Sequence, residues 1–159
     1  MTNFVLIRTR RSCCFTDIKK DFTTQFIFVE CVSWENSFSN TVTASQGDTA
    51  TLKFKVDYGD DEANTETTTI KCGYIKMSDL TMETVIEKVG NSETTLVTGG
   101  KLEDRVSVFK SDEDAMVLGI TITGVSQSDP TYYRCKAMYE IESGIESADS
   151  DLKTLVISS

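Results

Sequence analysis

With 159 residues, 16 Lys and Arg against 25 Asp and Glu, and a formal charge of −9, the chain has room for one ordinary domain with a self-sufficient core. Its charge argues against nucleic acid or anionic lipid as a partner and favours basic ones. No histidine occurs, which removes the usual general base near neutral pH, the Ser-His and Cys-His pairs and the commonest metal nitrogen ligand, so neither catalysis nor a cofactor is expected. No apolar run approaches the ~20 residues of a membrane-spanning helix, so no membrane insertion is expected within this chain.

The first 35 residues, MTNFVLIRTRRSCCFTDIKKDFTTQFIFVECVSWE, carry five basic and four acidic side chains, so the acidity belongs to residues 36–159. A secretory leader needs an apolar stretch of about 7 to 15 residues, whereas residues 4–7 are too few and residues 26–32 are interrupted by Glu30. This N-terminal segment, 1–35, has no assigned place in the fold. Residues 26–32 fit an added edge strand, a degraded leader or an upstream stretch foreign to the domain, and poor order is the expectation. The segment holds Cys13, Cys14 and Cys31; Cys72 and Cys135 come later in the chain. No two stand at the CxxC spacing of zinc ribbons or thioredoxin-like sites, so a disulfide is the better use for one pair, and the odd count leaves at least one thiol over.

From residue 41 onward, short segments rich in Val, Ile, Thr and Tyr alternate with Gly, Asp, Asn and Ser, the pattern of an all-β protein. Residues 49–56 (TATLKFKV) put Ala50, Leu52, Phe54 and Val56 on one face of a period-two strand and Lys53 and Lys55 on the other. Residues 69–77 (TIKCGYIKM) repeat the device, with Ile70, Cys72 and Tyr74 inward and Lys71 outward. Further strands are expected at 84–89, 94–98, 105–109, 116–123, 131–138 and 152–157, with Ile120 and Ile122 adding to the core. Together with the segment near Val42 this makes about nine strands at a spacing of roughly 8 to 12 residues, which fits a two-sheet sandwich. A doubly wound α/β fold needs long helical stretches, and the sequence has none.

Residues 121–135, TITGVSQSDPTYYRC, set Asp129, Tyr133 and Cys135 at the spacing D-x-x-x-Y-x-C. This resembles the end of strand E, the E–F corner and strand F of immunoglobulin V-type (variable-like) domains, and residues 42–52 (VTASQGDTATL) resemble their passage from strand A′ to strand B. The resemblance covers about residues 36–159 and implies an antiparallel sandwich with Greek-key connections. It implies that Tyr133 caps the E–F corner through its hydroxyl, and that Asp129 pairs with Arg105 at the start of strand D. Two positions depart from the family pattern: Phe54 stands where strand B carries its cysteine, and Tyr74 where strand C carries a tryptophan. Two disulfide registers therefore stay open. In one, Cys72 on strand C pairs with Cys135 on strand F within one sheet, provided the Cα atoms fall within about 7 Å. In the other, Cys72 is the strand B cysteine and its bridge to Cys135 crosses between sheets. Strand G, ADSDLKTLV, lacks the Gly-x-Gly bulge of antigen-receptor domains, which argues against antibody-like pairing and leaves the GFCC′ face for other contacts.

Asp57, Asp60, Asp61 and Glu62 cluster in the expected B–C loop; Glu140, Glu142, Glu146, Asp149 and Asp151 gather around strands F and G. The resemblance brings these loops to one rim, where a basic partner surface would be steered. As solvated turns they would equally keep the protein soluble and its sheet edges unpaired. The run DYGDDEANTE lacks the D-x-D-x-D-G spacing of a calcium loop, so no metal is expected, and acids in an open rim do not face each other across a glycosidase cleft. Tyr139, Ile141 and Ile145 interleave with the F–G acids as interface anchors or as residues that pin the hairpin. No Asn-x-Ser/Thr sequon occurs.

The resemblance implies an extracellular, non-enzymatic recognition module of a cell-surface receptor, immune-type receptors included. Its partner would be a protein ligand or another immunoglobulin-like domain, bound through the loop rim or the GFCC′ face. The contact candidates are Asp57, Asp60, Asp61, Tyr139, Glu140, Ile141, Glu142 and Ile145. The alternative is homophilic adhesion, as a homodimer, or structural spacing in a multidomain surface protein.

Overall fold

The computed structural model describes residues 14–20, 23–29, 31–59, 62–141 and 144–159. The chain divides into two units, Met1–Cys31 and Val32–Ser159. In the first, β1 (Cys14–Lys20) and β2 (Thr23–Val29) pair antiparallel, from Cys14 opposite Val29 to Lys20 opposite Thr23. The β-branched and aromatic content of TTQFIFV suits extended chain, so the segment left without a place in the fold contains a hairpin. The expected boundary after residue 35 also moves, because β3 (Ser33–Glu35) pairs with β5 (Ala50–Asp57) and belongs to the second unit.

Beyond these, the second unit contains β4 (Thr41–Ser45), β6 (Thr69–Ile75), β7 (Met82–Val89), β8 (Thr95–Leu96), β9 (Val106–Lys110), β10 (Val117–Ile122), β11 (Tyr132–Ile141), β12 (Gly144–Asp149) and β13 (Lys153–Ser158). One sheet has the order β3-β5-β10-β9; the other runs β4-β13-β11-β6-β7-β8, with β12 also on β11. Among the described residues every pairing is antiparallel except β13 with β4. This is the Greek-key, immunoglobulin-like sandwich expected from the sequence. Two of its strands, β3 and β12, were not among those expected.

The strands form where alternation dictates. Along β5, Ala50, Leu52, Phe54 and Val56 are buried, while Thr51, Lys53 and Lys55 are half-exposed. Leu52 lies opposite Ile120, Phe54 opposite Leu118 and Ala50 opposite Ile122, all buried, so one period-two face meets another. The lysines between them are occupied: Lys53 Nζ sits 4.5 Å from the Phe109 ring centre and 5.7 Å from that of Phe38, and Lys55 pairs with Glu35 and Asp114 at 3.2 and 3.3 Å. Gly119 is needed here, since a Cβ would lie 2.8 Å from the Phe109 Cβ and 2.9 Å from the Leu52 carbonyl oxygen.

Two short helical pieces interrupt the all-β pattern. Helix α1 (Glu62–Thr67) occupies the β5–β6 connection, where a loop was expected; its EANTET sequence contains helix formers but is too short to show a helical period. A 3₁₀ segment, Gly100–Arg105, leads into β9 and buries Leu102. Strand G is split into β12 and β13, and Ser150 bridges the break: its N–H donates to the Cys135 carbonyl at 2.8 Å, and its hydroxyl accepts the Cys135 N–H at 2.9 Å. A serine side chain thus replaces a ladder bond where antigen-receptor domains use glycine.

Candidate functional site

The second sheet is stapled at its centre. Cys72 on β6 and Cys135 on β11 are direct cross-strand partners and form a disulfide with Cα atoms 4.0 Å apart. Because the Cys135 N–H and carbonyl both turn to Ser150, this is a non-hydrogen-bonded pair, the position where opposite side chains come closest. The within-sheet register is the one adopted, and the inter-sheet alternative is excluded. Cys31 is disulfide-bonded as well. Phe54, at the strand B cysteine position, packs edge-on to Trp34 at 6.4 Å and lies under the Lys153 ammonium at 5.2 Å. Lys153 is buried, donates to the Ser39 and Phe38 carbonyls at 2.9 and 3.4 Å, and has its pKa lowered by that burial.

The corner before β11 is latched by charge. Arg105 Nη2 meets Asp129 Oδ1 at 2.6 Å and Nη1 meets Oδ2 at 3.0 Å, a bidentate fork; Nη1 also donates to the Gly124 carbonyl at 2.9 Å, and the Ser126 N–H donates to Oδ2 at 2.9 Å. Burial alone would raise the Asp129 pKa, but the Arg105 hydrogen bond, the Ser126 amide and the Arg105 charge hold it below the ordinary carboxylate value. Tyr133 departs from its expected role. It is fully buried, packed edge-on to Tyr74 at 6.4 Å, yet its hydroxyl meets no hydrogen-bond partner among the described residues. The ring fills the corner, and the carboxylate of Asp129 does the latching. Tyr74, at the strand C tryptophan position, accepts the Lys101 N–H at 3.0 Å.

The rim separates the expected contacts. Glu140 on β11 and Ile145 on β12 lie opposite each other and are exposed, Ile145 to 74%. Tyr139 was expected beside them as an anchor, but β11 runs on to Ile141, and the alternation that buries Cys135 and Ala137 buries Tyr139 too; burial raises its pKa. Asp57 ends β5 with its carboxylate accepting the Gly59 N–H at 2.9 Å. Asp60, Asp61 and Glu142 lie outside the described residues, and Ile141 pairs with Gly144 through the backbone. Among the described residues no cluster of His, Cys, Asp and Glu gathers to hold a metal, and no helix is long and apolar enough to cross a membrane.

The outward face of the second sheet carries residues that the sequence pattern did not single out as contacts. Across the strands, Asp149, Lys136, Lys71 and Glu87 stand in one row, each opposite the next. In the adjacent row Arg134 faces Gly73, which faces Thr84. Lys71 pairs with Glu87 at 3.4 Å, whereas Arg134 Nη1 reaches Asp149 only at 3.8 Å. Gly73 is bare because a Cβ would run into the Glu83 carbonyl oxygen at the bulge in β7. The signal was present in the alternation of YYRCKAM: with Tyr133, Cys135 and Ala137 inward, Arg134, Lys136 and Met138 face out.

No family model and no curated protein matches the sequence. Among solved structures, that of murine CRIg superposes with a TM-score of 0.58 at 13% identity, covering 82% of this chain and 100% of that one. In all, 1480 solved chains match, a breadth that identifies an architecture and leaves the ligand open. The chain therefore carries an immunoglobulin-like β-sandwich, and what it has in common with murine CRIg is that fold.

Proposed function

We propose that the second unit is an extracellular recognition module of V type, which binds a protein ligand through the outward face of its larger sheet and the adjoining β11–β12 rim. The observation that carries this reading is the extension of that sheet by β7 and β8 beyond β6, together with the parallel edge pairing of β4 on β13. These additions make a broad sheet face whose central side chains are polar or half-exposed rather than packed into the core. The Cys72–Cys135 disulfide supports an oxidising compartment. Glu140 and Ile145 are the rim contacts, an exposed aliphatic beside an acid.

The test displays the full chain as a labelled tetramer on a panel of cells. Binding is expected to be removed by trypsin treatment of the cells, to fall with Ile145→Asp and to survive Lys110→Gln on the smaller sheet. Absence of protease-sensitive binding, or equal loss with both variants, would sink the reading. Analytical ultracentrifugation separates the homophilic alternative, which requires a concentration-dependent dimer.

A further inference from the structure

In a chain of charge −9, the middle of the larger sheet's outward face is a small cationic island. Lys71 and Lys136 stand directly opposite each other, and Arg134 lies two residues from Lys136 on the same side of β11. Like charges in direct cross-strand contact destabilise a sheet. The flanking Glu87 and Asp149 offset this only partly, since three cations meet two carboxylates in these two rows. Arg134 is the least satisfied of the three. Its side chain is 39% exposed, it makes no hydrogen bond to any described residue, its buried Nε has no partner, and Asp149 stands at 3.8 Å, beyond hydrogen-bonding distance. Opposite it Gly73 brings no side chain, and the Glu83 backbone carbonyl lies over the position a Cβ would take.

An arginine presents a planar fork of donors that matches a carboxylate, and such pairs are recognition contacts where the fork is unspent. We infer that Arg134 is the docking point for an Asp or Glu side chain of the protein ligand, with Lys136 and Lys71 supplying the surrounding positive potential and Asp149 holding the fork loosely until it is displaced. This rests on the reading of the unit as a recognition module. A protein surface is favoured over an acidic sugar by what borders the island: Met138 on one side, and Tyr132, Ile75 and Met82 on the other, all half-exposed, form aliphatic and aromatic margins to a charged centre. An interface that surrounds a charge pair with apolar contacts excludes water from it.

The experiment follows the arginine Nε–Hε correlations of the full ¹⁵N-labelled chain by NMR. It is titrated separately with a capped hexaglutamate peptide, its hexaglutamine counterpart and N-acetylneuraminic acid. The Arg134 signal is expected to shift saturably with hexaglutamate and not with hexaglutamine, more weakly as salt rises. Asp149→Asn, which removes the competing carboxylate, is expected to tighten binding about two- to fivefold, as befits an exposed ion pair. Arg134→Gln is expected to abolish the shifts at Lys71 and Lys136 while the amide spectrum stays dispersed. A silent Arg134 signal, equal shifts with hexaglutamine, or a response to the sugar acid alone would each overturn the assignment. If Ile145→Asp abolishes cell binding while Arg134→Gln leaves it intact, the carboxylate site fails and the recognition reading stands.

Discussion

Replacing Tyr133 by phenylalanine removes one oxygen from the core and, among the described residues, no hydrogen bond. The side chain is fully buried and its hydroxyl has no hydrogen-bond partner among the described residues; burial and the nearby Asp129 carboxylate both push the phenol's pKa upward. A hydroxyl acting as the corner latch would contribute about 0.5 to 1.5 kcal/mol, and its loss would lower stability by that much. A buried hydroxyl without a partner costs about 1 to 3 kcal/mol, so its removal is expected to raise stability, by about 1 kcal/mol once the small void left by the oxygen is set against the gain. For a unit of this size that corresponds to a rise of roughly 3 to 6 °C in Tm. The assay is urea denaturation of the oxidised chain. It is followed by fluorescence of Trp34, the single tryptophan, which packs against Phe54 inside the unit. With the slope m unchanged, a higher midpoint supports the reasoning. A midpoint lowered by the equivalent of about 1 kcal/mol or more would refute it and make the hydroxyl a latch after all.

Asp129→Asn breaks the charge fork and is expected to cost about 2 to 3 kcal/mol, less than a wholly buried pair because a third of the Arg105 side chain is exposed. The pKa of Asp129 is lowered in the folded state, so its contribution is present above the unfolded value near pH 4 and lost as pH falls through the folded one; Asp129→Asn is therefore expected to flatten the acid limb of a stability-against-pH profile, and an unchanged limb would count against the latch. Replacing Cys72 and Cys135 together by Ala opens a crosslink of 63 residues' separation, worth about 4 kcal/mol in the chain-entropy model; a Tm insensitive to reductant in the parent chain would contradict it. Gly119→Ala pushes a methyl group against Phe109 and the Leu52 carbonyl and is expected to cost about 1 to 3 kcal/mol by overpacking, measured as the shift in urea midpoint.

What could be read beforehand depended on how far each signal rests on neighbours in sequence. Strand β5 was legible because four buried positions alternate with half-exposed ones without interruption. The Arg105–Asp129 pair was legible because a familiar spacing names both partners. Strand β12 was not: GIESAD offers no apolar face, since its strand character comes from pairing with β11. Tyr139 was misplaced for a related reason, because the acids around it suggested a loop while β11 continues through ten residues and keeps its inward parity. Tyr133 marks a subtler limit: the motif fixes where the ring goes, but a hydroxyl's partner depends on distant backbone that the spacing does not encode.

The placement of the disulfide raises the question of what joins the sheets. Cys72 and Cys135 tie strands that are already neighbours in one sheet, so the crosslink adds nothing across the interface between layers. That work falls to apolar burial and to a set of polar ties. The Trp34 indole on β3 donates to the Ala148 carbonyl on β12 at 2.9 Å, in the other sheet. The Lys153 ammonium crosses from β13 to lie over Phe54 on β5 while donating to the Ser39 carbonyl. Phe54 therefore occupies the strand B cysteine position and receives a cation from strand G where a second sulfur would otherwise have come from strand F. A covalent inter-sheet bond resists separation regardless of what surrounds it, whereas a buried lysine holds only while its carbonyl partners and the aromatic face stay in place. Cohesion of the two layers should accordingly be more sensitive to substitution at Phe54 and Lys153 than to reduction of the disulfide, which staples the larger sheet alone.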